Sequence, residues 1–173
     1  MEVGLIGYRG CGKSTVGKLL AARLSLAFID TDARIVQRAG KTIRDIFQQD
    51  GEPAFRNLES QIVREAIDAG SAVIAFGGGA IDREQNQTAI KNAGLKLIYL
   101  KCEPVELLRR IEADPGTAGA RPHLTSHGGS LAEIQTVLTR REPIWRTLLT
   151  AEIDVTRLTP GQAVKAILNV PGI

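Results

Sequence analysis

Gly7-Tyr8-Arg9-Gly10-Cys11-Gly12-Lys13-Ser14, entered from the apolar run Val3 to Ile6, is the stretch from which the fold of this 173-residue chain can be read. The frame Gly7-x-x-x-x-Gly12-Lys13-Ser14 matches G-x-x-x-x-G-K-[ST]. In that pattern glycines let the backbone curl, and successive N–H groups point at phosphate oxygens. A helix beginning at about Lys13 adds the positive end of its dipole. Lys13 is then placed to reach the β- and γ-phosphates of a nucleoside triphosphate, and the Ser14 hydroxyl to ligate magnesium. The pattern carries this meaning only between a strand and a helix. Both are present: Val3 to Ile6 reads as a buried strand, and Val16, Leu19, Leu20 and Leu24 recur at helical spacing.

Working outward, further short apolar runs stand at Ala27 to Ile29, Ala72 to Phe76, Leu95 to Leu100 and Glu152 to Val155. Helical patterns lie between most of them, at Leu58 to Ala69, Glu103 to Ile111 and Leu131 to Arg140. Pro160 fits the first position of a last helix capped by Thr159. Short buried strands alternating with helices predict an α/β fold of three layers: a five-stranded parallel sheet flanked by helices. Ligands in such sheets sit at the carboxyl ends of the strands, which is where Gly7, Asp30 and Gly77 fall. Two stretches stand apart from the core. Thr31 to Asn57 is polar with weak helical patterns, and Asp114 to Gly129 gathers both histidines, two prolines and several glycines. The second reads as a mobile loop.

The bulk numbers exclude several classes. The net charge of +3, with no run of Lys and Arg, argues against nucleic acid. No apolar stretch approaches the roughly 18 residues of a membrane span. Cys11 and Cys102 are far apart with no metal-ligand spacing, so a disulfide-free cytoplasmic protein is expected. His123 and His127 lack acidic or cysteine partners at ligand spacing and read as polar loop residues.

Asp30 and Asp32 flank Thr31 at the end of the second strand. Alternation sends both carboxylates to one side if the strand continues that far. One carboxylate can serve Mg²⁺ and the other can take a proton from an alcohol nucleophile, the two tasks phosphoryl transfer needs.

Six segments together resemble the shikimate kinases. They are the phosphate loop, Asp30-Thr31-Asp32, Phe55-Arg56-Asn57-Leu58-Glu59, Gly77-Gly78-Gly79, Arg121-Pro122 and Arg141-Glu142-Pro143. The resemblance runs from Val3 to about Leu168, in the family's order and approximate spacing. It implies a three-layer phosphate-loop kinase fold. The core comprises 1–30, 58–111 and 130–173, with a substrate-binding region at 31–57 and a lid at 112–129. It implies ATP-dependent phosphorylation of shikimate on its 3-hydroxyl, by a monomer using Mg²⁺. Asp32, Lys13 and Arg121 are the implied catalytic residues. ATP is held by Gly10, Cys11, Gly12, Lys13, Ser14 and Thr15, by Arg110 and Arg121, and by Arg157 and Pro160 near adenine. Asp32, Arg56, Glu59, Gly77, Gly78, Gly79 and Arg141 hold the acceptor: the two arginines clamp its carboxylate, Glu59 supports Arg56, and the glycines line its ring. Ser14 and Asp30 serve the metal. A planar guanidinium suits that clamp because it grips a carboxylate with two parallel hydrogen bonds. Trp145 stands where the family usually has tyrosine and reads as packing near the lid. Gluconate and nucleotide kinases share the loop and a lid, but the arginine pair with the triple glycine favours shikimate. A nucleotide-binding module without catalysis is disfavoured by Lys13, Asp30, Asp32 and Arg121 together. Tyr8 and Cys11 have no assigned role.

Overall fold

The computed structural model describes residues 2–114 and 130–173. The chain runs β1 (Val3–Ile6), α1 (Lys13–Leu24), β2 (Ala27–Asp30), α2 (Thr31–Ala39), α3 (Ile43–Gln49) and α4 (Gly51–Asp68). It continues through β3 (Ala72–Ala75), α5 (Glu84–Ala93), β4 (Lys96–Lys101) and α6 (Pro104–Glu112), then α7 (Leu131–Arg146), β5 (Ala151–Asp154) and α8 (Pro160–Leu168). The five strands form one parallel sheet in the order β2-β3-β1-β4-β5. β3 and β4 flank β1, so the winding reverses across β1, and the loop after β1 opens at the carboxyl edge where ligands bind.

Both faces of the central strands are covered, which is why β1 and β3 are apolar throughout rather than alternating. Val3, Leu5, Ile74, Leu97, Ile98 and Leu100 anchor the main core together with Trp145, which meets Tyr99 edge-on at 5.0 Å. Trp145 is therefore a packing residue of the core, 1% exposed. The lid expected at 112–129 lies almost wholly outside the described residues, and Arg121, His123 and His127 lie outside them.

The region 31–57 is more regular than its polar sequence indicates. It holds α2, α3 and the first turns of α4, and α4 begins at Gly51 rather than at Leu58. Capping explains the starts. Asp30 accepts from the N–H groups of Asp32 and Ala33 at the head of α2, and Thr42 with Asp45 forms a capping box at the head of α3. A separate small core of Ile35, Ile43, Ile46, Phe55 and Ile62 holds these helices together. Thr159 and Gln162 form the second capping box, with Pro160 opening α8. α7 runs past Arg140 to Arg146, through Pro143.

Candidate active site

Gly12 adopts a left-handed conformation (φ 96°) at the head of α1, and the loop residues Gly10 and Gly12 line a concavity there. The Lys13 ammonium folds back over that concavity, donating to the carbonyls of Gly7 (2.8 Å) and Tyr8 (3.1 Å). It thus lies across the loop's own mouth. The Cys11 thiol is buried below, with Lys13 Nζ 3.8 Å from its sulfur. This pocket is lined by Gly10, Gly12, Lys13, Ser14, Thr15, Asp30, Asp32 and Arg110, among others.

Ser14 Oγ donates to Asp30 Oδ2 at 2.6 Å, while Asp30 Oδ1 receives the two capping N–H groups of α2. The two residues predicted to serve a metal are therefore in contact. A hydroxyl and a carboxylate offer hard oxygen ligands, and Mg²⁺ characteristically takes only one or two protein ligands beside phosphate and water. The residues fit that ion. Alternation along the strand is not the reason Asp30 and Asp32 converge. β2 stops at Asp30, and Asp32 projects from the first turn of α2. Thr31 ties this turn to the glycine loop: its buried Oγ1 accepts from Gly77 N at 2.8 Å and donates to the Ala75 carbonyl at 3.3 Å.

A second pocket adjoins the first. Tyr8, Arg9, Asp32, Ile43, Phe47, Phe55, Arg56, Glu59, Gly78, Gly79 and Arg141 line it. The small core of α2–α4 thus supplies its apolar wall. Arg56 Nη1 donates to the buried Glu59 carboxylate at 2.9 Å and Arg56 Nε to Glu52 at 3.2 Å. Burial pushes the Glu59 carboxyl above its ordinary range, and the Arg56 guanidinium pulls it back. Arg141, only 3% exposed, is gripped by Asp82: its Nε lies 3.0 Å from both carboxylate oxygens and its Nη2 2.7 Å from Oδ2. Asp82 was not among the expected site residues. Its only sequence signal is a carboxylate three positions after the triple glycine.

The glycines have a steric task beside the ring-lining one expected of them. None of Gly77, Gly78 and Gly79 has positive φ. A Cβ on Gly77 would overlap Asp32 Oδ1 and lie 3.1 Å from its Cγ. On Gly79 it would lie 2.5 Å from Arg56 Nη1 and 3.0 Å from Arg141 Nη2. Gly78 is freer, its nearest neighbour being Arg141 Nη1 at 3.6 Å. Gly77 and Gly79 make room for functional side chains, whereas Gly78 and Gly79 face the second pocket.

Toward the expected adenine end, Arg110 Nε donates to Glu106 at 2.7 Å, and Arg110 Nη2 bonds the carbonyls of Val155 and Thr156 at 3.1 and 3.0 Å. Hydrogen bonds from Arg109 and Arg110 hold the Glu106 carboxyl down at about 2. Arg157 lines a shallow cleft with Glu103, Asp154, Thr156 and Leu158. Pro160 is not among those lining residues and starts α8 beyond it.

A loop built for phosphates, a hydroxyl–carboxylate pair beside it and an adjoining arginine-lined pocket, all at the carboxyl edge of a 2-3-1-4-5 sheet, define a phosphate-loop phosphotransferase. The shikimate kinase family model matches residues 9–170. A shikimate kinase of Thermobifida fusca is 42% identical over 163 residues, covering 94% of this chain and 90% of that protein. A solved shikimate kinase from Acinetobacter baumannii in complex with shikimate superposes with a TM-score of 0.88 at 29% identity, covering 96% of this chain and 90% of that one. A gluconokinase from Sinorhizobium meliloti, at 17% identity and a TM-score of 0.59 over 95% of this chain and 87% of that one, shares the fold alone. The chain belongs to the shikimate kinase family.

Proposed function

We propose that the chain transfers the terminal phosphoryl group of ATP to the 3-hydroxyl of shikimate, giving shikimate 3-phosphate and ADP on the route to aromatic amino acids. The observation that carries this reading is the position of Asp32. Asp32 lines both pockets, with the phosphate loop in one and the arginine pair in the other.

Each task then has a residue. The loop N–H groups and Lys13 hold the phosphates once ATP draws the ammonium off the Gly7 and Tyr8 carbonyls. Ser14 and Asp30 would hold Mg²⁺, which supplies charge neutralisation to the phosphates. Arg56 and Arg141 hold the acceptor carboxylate, oriented respectively by Glu59 and Asp82. Asp32 receives the proton of the attacking hydroxyl as the bond from phosphorus to the acceptor oxygen forms. The bond from phosphorus to the bridging oxygen breaks, and ADP leaves with that oxygen. Catalysis of this kind is chiefly positioning and charge stabilisation, which suits a site made of locked arginines. Arg121, carried over from the resemblance, is assigned to the phosphates, and Arg110 and Arg157 to the nucleotide's far end. The substrate region 31–57 and lid 112–129 divide the chain by role, on one core. A monomer suffices, since one chain lines both pockets. Two buried free thiols, Cys11 and Cys102, agree with a reducing compartment such as the cytoplasm. Among the described residues no helix is long and apolar enough to cross a membrane.

Coupled ADP release with shikimate, gluconate and nucleoside monophosphates side by side tests the reading. Shikimate is expected to be the only efficient acceptor. Faster turnover with gluconate or a monophosphate overturns it.

A further inference from the structure

Arg9 stands inside the phosphate loop at a position the motif leaves open, yet it is 8% exposed and lines both pockets. A charged side chain is rarely so buried unless it is paired. Its partner is Glu133, in the first turn of α7 and fully buried, whose Oε1 accepts from Arg9 Nη2 at 3.3 Å. The same helix carries Arg141 two turns later, so one rigid element positions both guanidinium groups. Arg9 also lies against the Tyr8 ring, 5.9 Å from its centroid.

Two polar atoms here are buried without a hydrogen bond: Arg9 Nε and the Tyr8 hydroxyl. Both residues line the acceptor pocket. Such groups cost about 1–3 kcal/mol each when left unpaired, so their retention points to a ligand that pairs with them. Burial pushes the Tyr8 hydroxyl up from its ordinary range, so it remains a donor at neutral pH. The unmatched groups are therefore one donor on a cation, Arg9, which lines both the phosphate pocket and the acceptor pocket, and one neutral donor, Tyr8, which lines the acceptor pocket. An anionic oxygen located between the two pockets is the chemistry they match.

We propose that Arg9 contacts the phosphoryl group in transit, an arginine supplied in cis by the phosphate loop itself and anchored by Glu133. The inference rests on the kinase reading above. As the bond from phosphorus to the ADP oxygen breaks and that to the acceptor oxygen forms, the equatorial oxygens pass between the pockets. A guanidinium there stabilises their charge without moving. Glu133 acts through Arg9 and is a positioning residue.

Kinetics and ligand binding on full-length variants test this. Arg9→Met is expected to lower kcat and kcat/KM together by roughly 10³-fold, the lower end for such arginines, while the Kd values for ADP and shikimate move less than about threefold. Arg9→Lys keeps a charge opposite Glu133 and so preserves folding, yet it lacks the planar fork and is expected to keep less than about a tenth of kcat. Arg9→Met leaves the Glu133 carboxylate facing an apolar side chain and is expected to unfold at lower temperature. Adding Glu133→Gln is expected to recover that stability but not the rate. Recovery of wild-type kcat in the double variant overturns the proposal and makes Arg9 a counter-ion to Glu133. So does a normal kcat in Arg9→Lys. Failure of the wild type to release ADP with shikimate refutes the kinase reading instead, and is read before any variant.

Discussion

Replacing Gly77 and Gly79 separately by alanine is expected to damage two different kinetic parameters. Neither residue has the positive φ that an alanine would resist, so the backbone tolerates both changes. The conflict is with side chains. On Gly79 the new methyl lies 2.5 Å from Arg56 Nη1 and 3.0 Å from Arg141 Nη2. Ordinary contact needs about 3.5 Å, so Arg56 must withdraw by about 1 Å. Its far end can move, so folding stability changes little, but the fork no longer presents its N–H groups as one clamp. Losing one charge-assisted hydrogen bond of about 1.5–3 kcal/mol raises the acceptor KM about 10- to 100-fold, with kcat and the ATP KM nearly unchanged. On Gly77 the methyl overlaps the Asp32 carboxylate. Moving a proton acceptor by about 1 Å costs about 10²-fold, and here the loss falls on kcat. Gly78→Ala, with its Cβ 3.6 Å from the nearest atom, is the control and is expected to be the mildest at the two side chains. Coupled ADP release, titrated in shikimate at saturating ATP and then in ATP at saturating shikimate, separates the parameters. Equal losses in one parameter from Gly77→Ala and Gly79→Ala, or Gly78→Ala proving the harshest in KM, would refute the steric reasoning and restore backbone approach to the ring as the role of the triple glycine.

Asp32→Asn is expected to lower turnover by about 10²–10⁴-fold, the range for a lost general base, while ATP affinity measured by calorimetry holds. Near-normal turnover removes Asp32 from the proton path. Asp82→Asn keeps the volume but removes the charge that fixes Arg141, and a loss of about 1–3 kcal/mol in acceptor binding is expected; an unchanged shikimate KM would show that Arg141 is held by packing alone. Cys102 is buried and its thiol is pushed up to about 11 by desolvation. Folded protein at pH 8 is therefore expected to leave Cys102 unalkylated by iodoacetamide, read by peptide mass mapping, and rapid labelling would refute its burial.

The central strands were legible because a parallel strand buried on both faces has to be a short apolar run; the edge strands β2 and β5 are less buried, yet all five runs became strands within a residue or so. The phosphate loop was legible for a related reason. Its backbone geometry requires glycines at fixed spacing, and spacing is what a sequence displays. The helices of 31–57 were less so. Their apolar residues bury against each other in a small core, not against the sheet, and that partnership is invisible along the chain. Asp30 and Asp32 were correctly paired for an incorrect reason, since a helix cap replaces the continuing strand.

What the sequence could not display is how each charge at the site is held. Arg56 with Glu59 is a pair three residues apart on one helix, and it could be read. Arg141 with Asp82 and Arg9 with Glu133 join residues 59 and 124 positions apart, and a long-range ion pair leaves no periodicity. These pairs matter because a buried guanidinium without a carboxylate is costly, by about 3–5 kcal/mol when one partner is removed. A site that must meet two anionic ligands with several arginines cannot leave those arginines unpaired while it waits. Each therefore has a carboxylate on one edge and a free approach on another. The triple glycine preserves that approach where Arg56 and Arg141 converge. Its smallness serves the side chains around it as much as the ligand, and for that reason Gly79 rather than Gly78 is the position where a single methyl group should be felt in acceptor binding.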